Sequence, residues 1–309
     1  MAINMTSTEE EVLKRIRKTR ALRKAVKLFF LIAVVAWGIV SLFPMYWMFV
    51  TSFTYIGPSF TMKDIKWFPD PPTLQNYKDF MQLEAPWWIE RRPWKRWFLN
   101  SLLVALIPTL SNLVFDSMAG YSLAKLRFPG RNTLFWLIIV TMTIPEFVPL
   151  IPLYKMMYDF NWINTYWALL FPGFAGVGGV FLFKQNIQTL PSGLIDAARI
   201  DGASEFKIFW KIVMPLSKPI LALMGIVGFV GGWNSYFWPY LVTNSSEMFT
   251  IQVGLTGLMG AGAFGIPPGV EAYGEIFAGA VLAAIPVIVI FFAFQKYFVK
   301  GIAVGAFKG

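Results

Sequence analysis

Apolar positions gather in six runs along this chain, roughly 28–53, 97–124, 133–152, 166–186, 219–242 and 273–298, with polar or Gly/Pro-rich stretches between them. A helix needs about 20 apolar residues to cross a hydrocarbon core, and each run is about that long. The third run carries Pro145 and Pro149, which leaves its end open. Alternating segments of about ten residues, the mark of a membrane barrel, are missing. The pattern predicts an all-α polytopic membrane protein with six transmembrane helices.

Composition agrees. Of 309 residues, 56% are apolar and 14% charged, far from the soluble average. Cysteine and histidine are both absent, which excludes disulfides, thiolate or imidazole metal sites, and Ser/His/Asp triads. The net charge of +10 is informative through its distribution. Lys and Arg number eight in residues 1–27, three in 125–131, five in 184–218 and three in 296–309, with none in 243–275. Cytoplasmic loops carry the basic excess, so both termini, the 125–131 turn and the 187–218 loop are expected in the cytoplasm.

Residues 54–96 oppose this assignment with seven basic residues, four of them Arg91, Arg92, Lys95 and Arg96. Interleaved with Trp87, Trp88, Trp94 and Trp97, they read as a segment lying along lipid headgroups. The inverted topology would export the basic N-terminus and is rejected. The expected organisation is a basic segment 1–27, a first span 28–53, an external Trp/Pro-rich loop 54–96, a membrane core 97–298 containing the cytoplasmic loop 187–218, and a Gly-rich cytoplasmic tail 299–309. A second external loop, 243–272, is Gly- and Pro-rich and expected to be irregular.

The polar stretch Asp196–Pro215, DAARIDGASEFKIFWKIVMP, predicts two short helical pieces hinged at Gly202 and bracketed by Pro191 and Pro215. Leu194, Ile195, Ile200, Phe206, Ile208 and Phe209 offer apolar contact, and Asp196, Arg199, Asp201, Glu205 and Lys207 a polar fringe. Read from residues alone, it is either a surface hairpin packed on its own spans or a handle gripped by a partner.

Its spacing resembles the cytoplasmic loop of permease subunits of bacterial ABC importers, which runs Glu-Ala-Ala, three residues, Gly, nine residues, Ile, one residue, Leu-Pro. Here Asp196-Ala197-Ala198 precedes Gly202, then Ile212, then Met214-Pro215, with Asp for Glu and Met for Leu. AGYSLAKLRFPGR (119–131), ARIDGASEFKIFWKIVMPLSKP (198–219) and QKYFVKGIAVGAFKG (295–309) are similar to the shorter permease of maltose and glycerol-phosphate type systems.

The resemblance implies a type I importer permease fold in the bacterial cytoplasmic (inner) membrane. It implies a second permease subunit as partner, two ATPase subunits, and an extracellular or periplasmic solute-binding protein. Asp196, Ala197, Ala198, Asp201, Gly202, Ile212 and Pro215 are the expected ATPase-coupling residues. ATP and Mg would sit on the partner ATPases, since no G-x-x-x-x-G-K-[ST] loop occurs in this chain. No cofactor, metal or nucleic acid is expected on it, and no catalytic residue.

Within the spans, Asp116 near Asn112 is read either as part of a substrate pathway or as a structural hydrogen-bond partner. Glu146 is expected at the external end of the third span. GGWNSYFWPY (231–240) offers Trp233 and Asn234 as further pathway candidates, with Trp238 and Tyr240 as an interfacial belt. A stand-alone secondary transporter or channel is the alternative function, and an intramembrane enzyme a third. Which sugar or polyol is carried is not written in any constellation of residues.

Overall fold

The computed structural model describes residues 7–54, 67–82, 92–145, 147–259 and 273–306. Fourteen α-helices occur among them and no strand: α1 (Ser7–Ser52), α2 (Gln75–Phe80), α3 (Trp94–Lys125), α4 (Arg131–Met142), α5 (Leu150–Asp159), α6 (Tyr166–Leu170), α7 (Val177–Gln188), α8 (Ser192–Ile200), α9 (Glu205–Ile208), α10 (Met214–Leu216), α11 (Lys218–Trp233), α12 (Phe237–Val242), α13 (Ile251–Gly257) and α14 (Tyr273–Ala306). Trp87, Trp88, Arg91, Glu146 and the 260–272 part of the second loop lie outside the described residues.

Four stretches are long and apolar enough to cross a membrane: Lys18–Ser52, Trp94–Lys125, Tyr166–Gln188 and Tyr273–Gln295. Among the described residues one further pair, Glu205–Leu216 with Lys218–Trp233, passes the same test only when taken together, and it is bent by 80°. The third apolar run departs from expectation. Helix α4 stops after 12 residues, which at 1.5 Å per residue spans about 18 Å of a ~30 Å core. Proline disfavours helical backbone in the residue before it, and the described residues 143–145 and 147–149, which include Pro145 and Pro149, stay out of helix until α5 starts at Leu150.

The fifth run also breaks. Helix α11 ends at Trp233, and Asn234–Tyr236 separates it from α12. Pro215 does not end the hairpin as expected. The helix reaches Leu216 because a π-helical turn, Phe209–Val213, precedes the proline. A wider i→i+5 turn makes room for a ring that would clash with the carbonyl four residues back. The chain turns one residue later, at Ser217. The tail differs too, since α14 continues in helix to Ala306, through most of the Gly-rich 299–309 segment.

Helix α3 is the centre of the packing, against α7 on one side and α11 on another. Small residues let these backbones approach, as in helix pairs that lack a hydrophobic driving force in lipid. A Cβ on Gly120 would lie 2.7 Å from Phe183 Cβ, and one on Gly232 would lie 2.8 Å from Ala105 Cα. Helix α1 packs against α14 and leaves Leu31, Val34, Trp37 and Val40 exposed.

At the Trp94 end of α3, two residues expected along the headgroups, Arg92 and Trp97, are buried instead, while Lys95 and Arg96 stay exposed. Trp97 is fully buried and its indole N–H donates to Ser246 O at 2.8 Å. Arg92 is buried and ion-paired with Glu275, and Arg96 pairs with Glu247 at 2.7 Å. A buried cation needs a partner, and Arg92 finds its own at Glu275, whereas the Arg96–Glu247 pair is exposed. Asn100 donates to Glu247 O and Phe249 O, both at 2.9 Å, closing the same end.

Candidate functional site

The hairpin takes its shape from Gly202. Helix α8 ends with Ala203 N–H donating to Ala198 O at 2.9 Å and Gly202 N–H to Arg199 O at 3.0 Å. This double closure needs a left-handed residue after the helix, and Gly202 has φ +76°. Ser204 then caps α9, its hydroxyl accepting from Lys207 N–H at 3.3 Å. A Cβ on Gly202 would meet open space, so backbone conformation and not crowding selects glycine there.

The hairpin has two faces. Ile195, Ile208, Phe209 and Val213 are buried against Tyr121, Phe183 and Ile187. Of the apolar side chains expected to meet a partner, Ile195, Ile208 and Phe209 are therefore taken up within this chain. The outer face keeps Leu194, Ile200 (87% exposed) and Phe206 (64%), with Asp196, Ala197, Asp201 and Gly202 exposed beside them. Ile212 is half-buried and Pro215 exposed.

Arg199 ties the two short helices across the turn. Its Nε donates to Glu205 Oε1 at 2.7 Å and its Nη1 to Asp196 Oδ1 at 3.0 Å. The Arg199 hydrogen bond holds the Glu205 carboxyl below its ordinary range, against partial desolvation. The same bond raises Arg199 above its own range, so both stay charged.

Two residues of α3 fasten this unit to the membrane core. The Tyr121 hydroxyl donates to Glu205 Oε2. Lys125 Nζ donates to Leu190 O at 2.6 Å, to Gln188 O at 3.3 Å and to Ser192 Oγ at 3.2 Å, satisfying the junction between α7 and α8. Sequence reasoning did not assign roles to Tyr121 and Lys125. They lie four apart in AGYSLAK, hence on one helix face, which was the available signal.

The pathway candidates separate. Asp116 is buried, accepts from Gly176 N–H at 3.0 Å, and so caps the start of α7. Asn112 lies one turn away, its Oδ1 buried with no partner among the described residues. Trp233 is buried inside the subunit core, stacked on Phe229 at 5.9 Å, with its N–H donating to Ala283 O at 3.0 Å. It faces no open surface, because α11 turns that side toward α14. Asn234 is exposed at the helix break. Trp238 donates to Ala168 O at 2.8 Å, and Tyr240 stacks on Tyr236 while staying exposed.

Apolar helices long enough to cross a membrane, with a polar two-helix hairpin bent off one end, make this an integral membrane protein that presents a handle outside its core. The chain belongs to the inner membrane components of binding-protein-dependent transport systems, whose family model matches residues 116–304. It is 40% identical over 214 residues to the arabinooligosaccharides transport system permease protein AraQ of Bacillus subtilis (strain 168), covering 69% of this chain and 74% of that one. It is 32% identical over 268 residues to the sn-glycerol-3-phosphate transport system permease protein UgpE of Salmonella typhi, covering 85% and 91%. The fold is shared with a chain in the crystal structure of a bacterial ABC transporter involved in the import of the acidic polysaccharide alginate. There the TM-score is 0.74 at 23% identity, covering 88% of this chain and 97% of that one.

Proposed function

We propose that this chain is the shorter permease of a carbohydrate or polyol importer. It forms half of the pore with a second permease, receives solute from an external binding protein, and is driven by two ATPase subunits. Six spans with both termini cytoplasmic complete the proposed topology, with α4 and the turn to α5 serving as the third. The relatives are named for an oligosaccharide and a phosphorylated polyol, which supports a hydroxyl-rich solute.

The observation that carries the reading is the hairpin's division of labour. One face is locked to α3 through Tyr121 and Lys125, and the other offers Asp196, Ala197, Asp201 and Gly202 outward, with Ala198 partly buried behind them. Ile212 and Pro215 shape the arm behind it. In this reading an ATPase grips the outer face, and its closure moves the hairpin and α3 together as a rigid body. The chain transmits motion and needs no reacting group. Asn112, Asp116 and Asn234 stay as pathway proposals, and Trp233 acts by shaping the core behind them.

Gly202→Asp tests the coupling role. A Cβ at Gly202 meets open space but strains a backbone at φ +76°, so the disturbance is confined to the hairpin turn; the permease pair should insert in normal amount while uptake falls at least about tenfold, the equivalent of ~1.4 kcal/mol. Undiminished uptake would remove the hairpin from the coupling path. Binding of the cognate external receptor to a glycan panel would name the solute.

A further inference from the structure

Three cavities surround the turn between α3 and α4, and Arg131 lines all of them. The innermost, about 80 Å³, is a crevice between α3, α4 and α7 lined by Arg131, Asn132, Phe135 and Lys184. The outer, about 400 Å³, is lined by Arg127, Phe128, Arg131 and Thr133. Neither contains a carboxylate. Lys184 lies 4.1 Å from the Phe135 ring, Arg131 donates to Leu126 O at 3.1 Å, and no ion pair joins Arg127, Arg131 or Lys184 among the described residues. The third cavity, about 890 Å³, does hold Asp196 and Glu205, but Arg199 engages both.

Three unneutralised cations around two adjoining clefts call for an anion. The neighbouring surface says which kind. Beginning one turn after Arg131, Leu134, Trp136, Leu137 and Val140 of α4 are all exposed, and Phe128 is partly exposed on the other side. A polar protein surface would find little to bind there, whereas an amphiphile finds both halves of what it needs. Basic clefts between membrane helices on the cytoplasmic side suit anionic headgroups.

We propose that Arg127, Arg131 and Lys184 form a binding site for the phosphate of an anionic phospholipid, with its acyl chains along α4. The site rests on the topology proposed above only for its leaflet. Its chemistry is independent of transport.

The test uses the importer assembled with its partner subunits, purified in neutral lipid-free detergent, and titrated by native mass spectrometry. The probes are phosphatidylglycerol, phosphatidylcholine and inorganic phosphate. Phosphatidylglycerol should bind more tightly than phosphatidylcholine, and inorganic phosphate should not displace it. Each of R127Q, R131Q and K184Q should weaken phosphatidylglycerol about fivefold, and K155Q, on α5, should leave it unchanged. Equal binding of the two lipids, or indifference to all three substitutions, would overturn the site. Displacement by inorganic phosphate at matching concentration would make it a free-anion site and overturn the lipid assignment. So would loss of the ATPase subunits from these variants with lipid binding intact. Single variants keep the question answerable where a triple variant fails to assemble. Lipid binding by an importer that carries no sugar would sink the transport reading and spare this one.

Discussion

Gly178 and Gly179 are neighbours on α7 with opposite surroundings. A Cβ on Gly179 would lie 1.9 Å from Asp116 Oδ2, whereas one on Gly178 meets nothing within 4 Å. Gly179→Ala should force apart α3 and the start of α7 and cost roughly 1–3 kcal/mol. Gly178→Ala should be neutral or slightly stabilising, because alanine is the better helix former. Thermal midpoints of the two variants in detergent would separate them, and equal midpoints would deny the close approach at Asp116. That carboxylate was readable from sequence as a group needing a partner in the membrane. Its partner was not, because the backbone N–H of Gly176 has no signature in residue type. Trp233 shows the converse: an aromatic beside an amide looks like a sugar platform until α14 is seen to cover it.

At the scale of elements, the Ser204 cap went unread, but the hairpin was legible from Gly202 and Pro191, which impose local geometry. The π-helical turn before Pro215 was not, since it depends on how Phe209 and Val213 pack below. The Arg199–Glu205 pair gives the hairpin a dependence on pH. Glu205 has a folded-state value below its ordinary 4.5, so the pair's contribution is fully present above that ordinary value. It is lost as pH falls through the lower folded value. Protection from hydrogen exchange over residues 196–208, taken relative to the intrinsic rate at each pH, should therefore hold from pH 7 down to about 5 and fall below the ordinary carboxylate range. In Glu205→Gln, exchange should already be faster at pH 7 and the acid step absent. A step of equal size in that variant would assign it to another group. With both partners over a third exposed, solvent weakens the pair, so the step is small.

For the molecule as a whole, six apolar runs were visible, but their integrity was not. Hydropathy counts residues and is blind to whether a helix persists, so the break at Asn234–Tyr236 was hidden, while Pro145 and Pro149 already marked the end of the third run as open. Basic residues near 92–96, which seemed to contradict the positive-inside assignment, pair with Glu247 and Glu275. The proposed topology is testable with one thiol, because the chain has no cysteine. Ser204→Cys should react with impermeant reagent only in inside-out vesicles and be shielded when the ATPase is bound. Ser204 caps α9 through its hydroxyl, so Lys207→Cys, whose side chain is exposed and which lends the cap only its backbone N–H, is the companion probe. Reaction in sealed right-side-out cells would invert the arrangement. Solute accumulation by the purified chain alone in liposomes would favour the stand-alone transporter.

The 80° elbow at Ser217 gives this arrangement a mechanical meaning. A crank delivers most torque when its throw stands square to its shaft, and the Glu205–Leu216 arm stands nearly square to α11. Sideways displacement of such an arm becomes rotation of the shaft, with little wasted as thrust along it. Under the proposed coupling, straightening the elbow would leave the same sideways stroke no lever about α11, and the helix would tilt instead of turning.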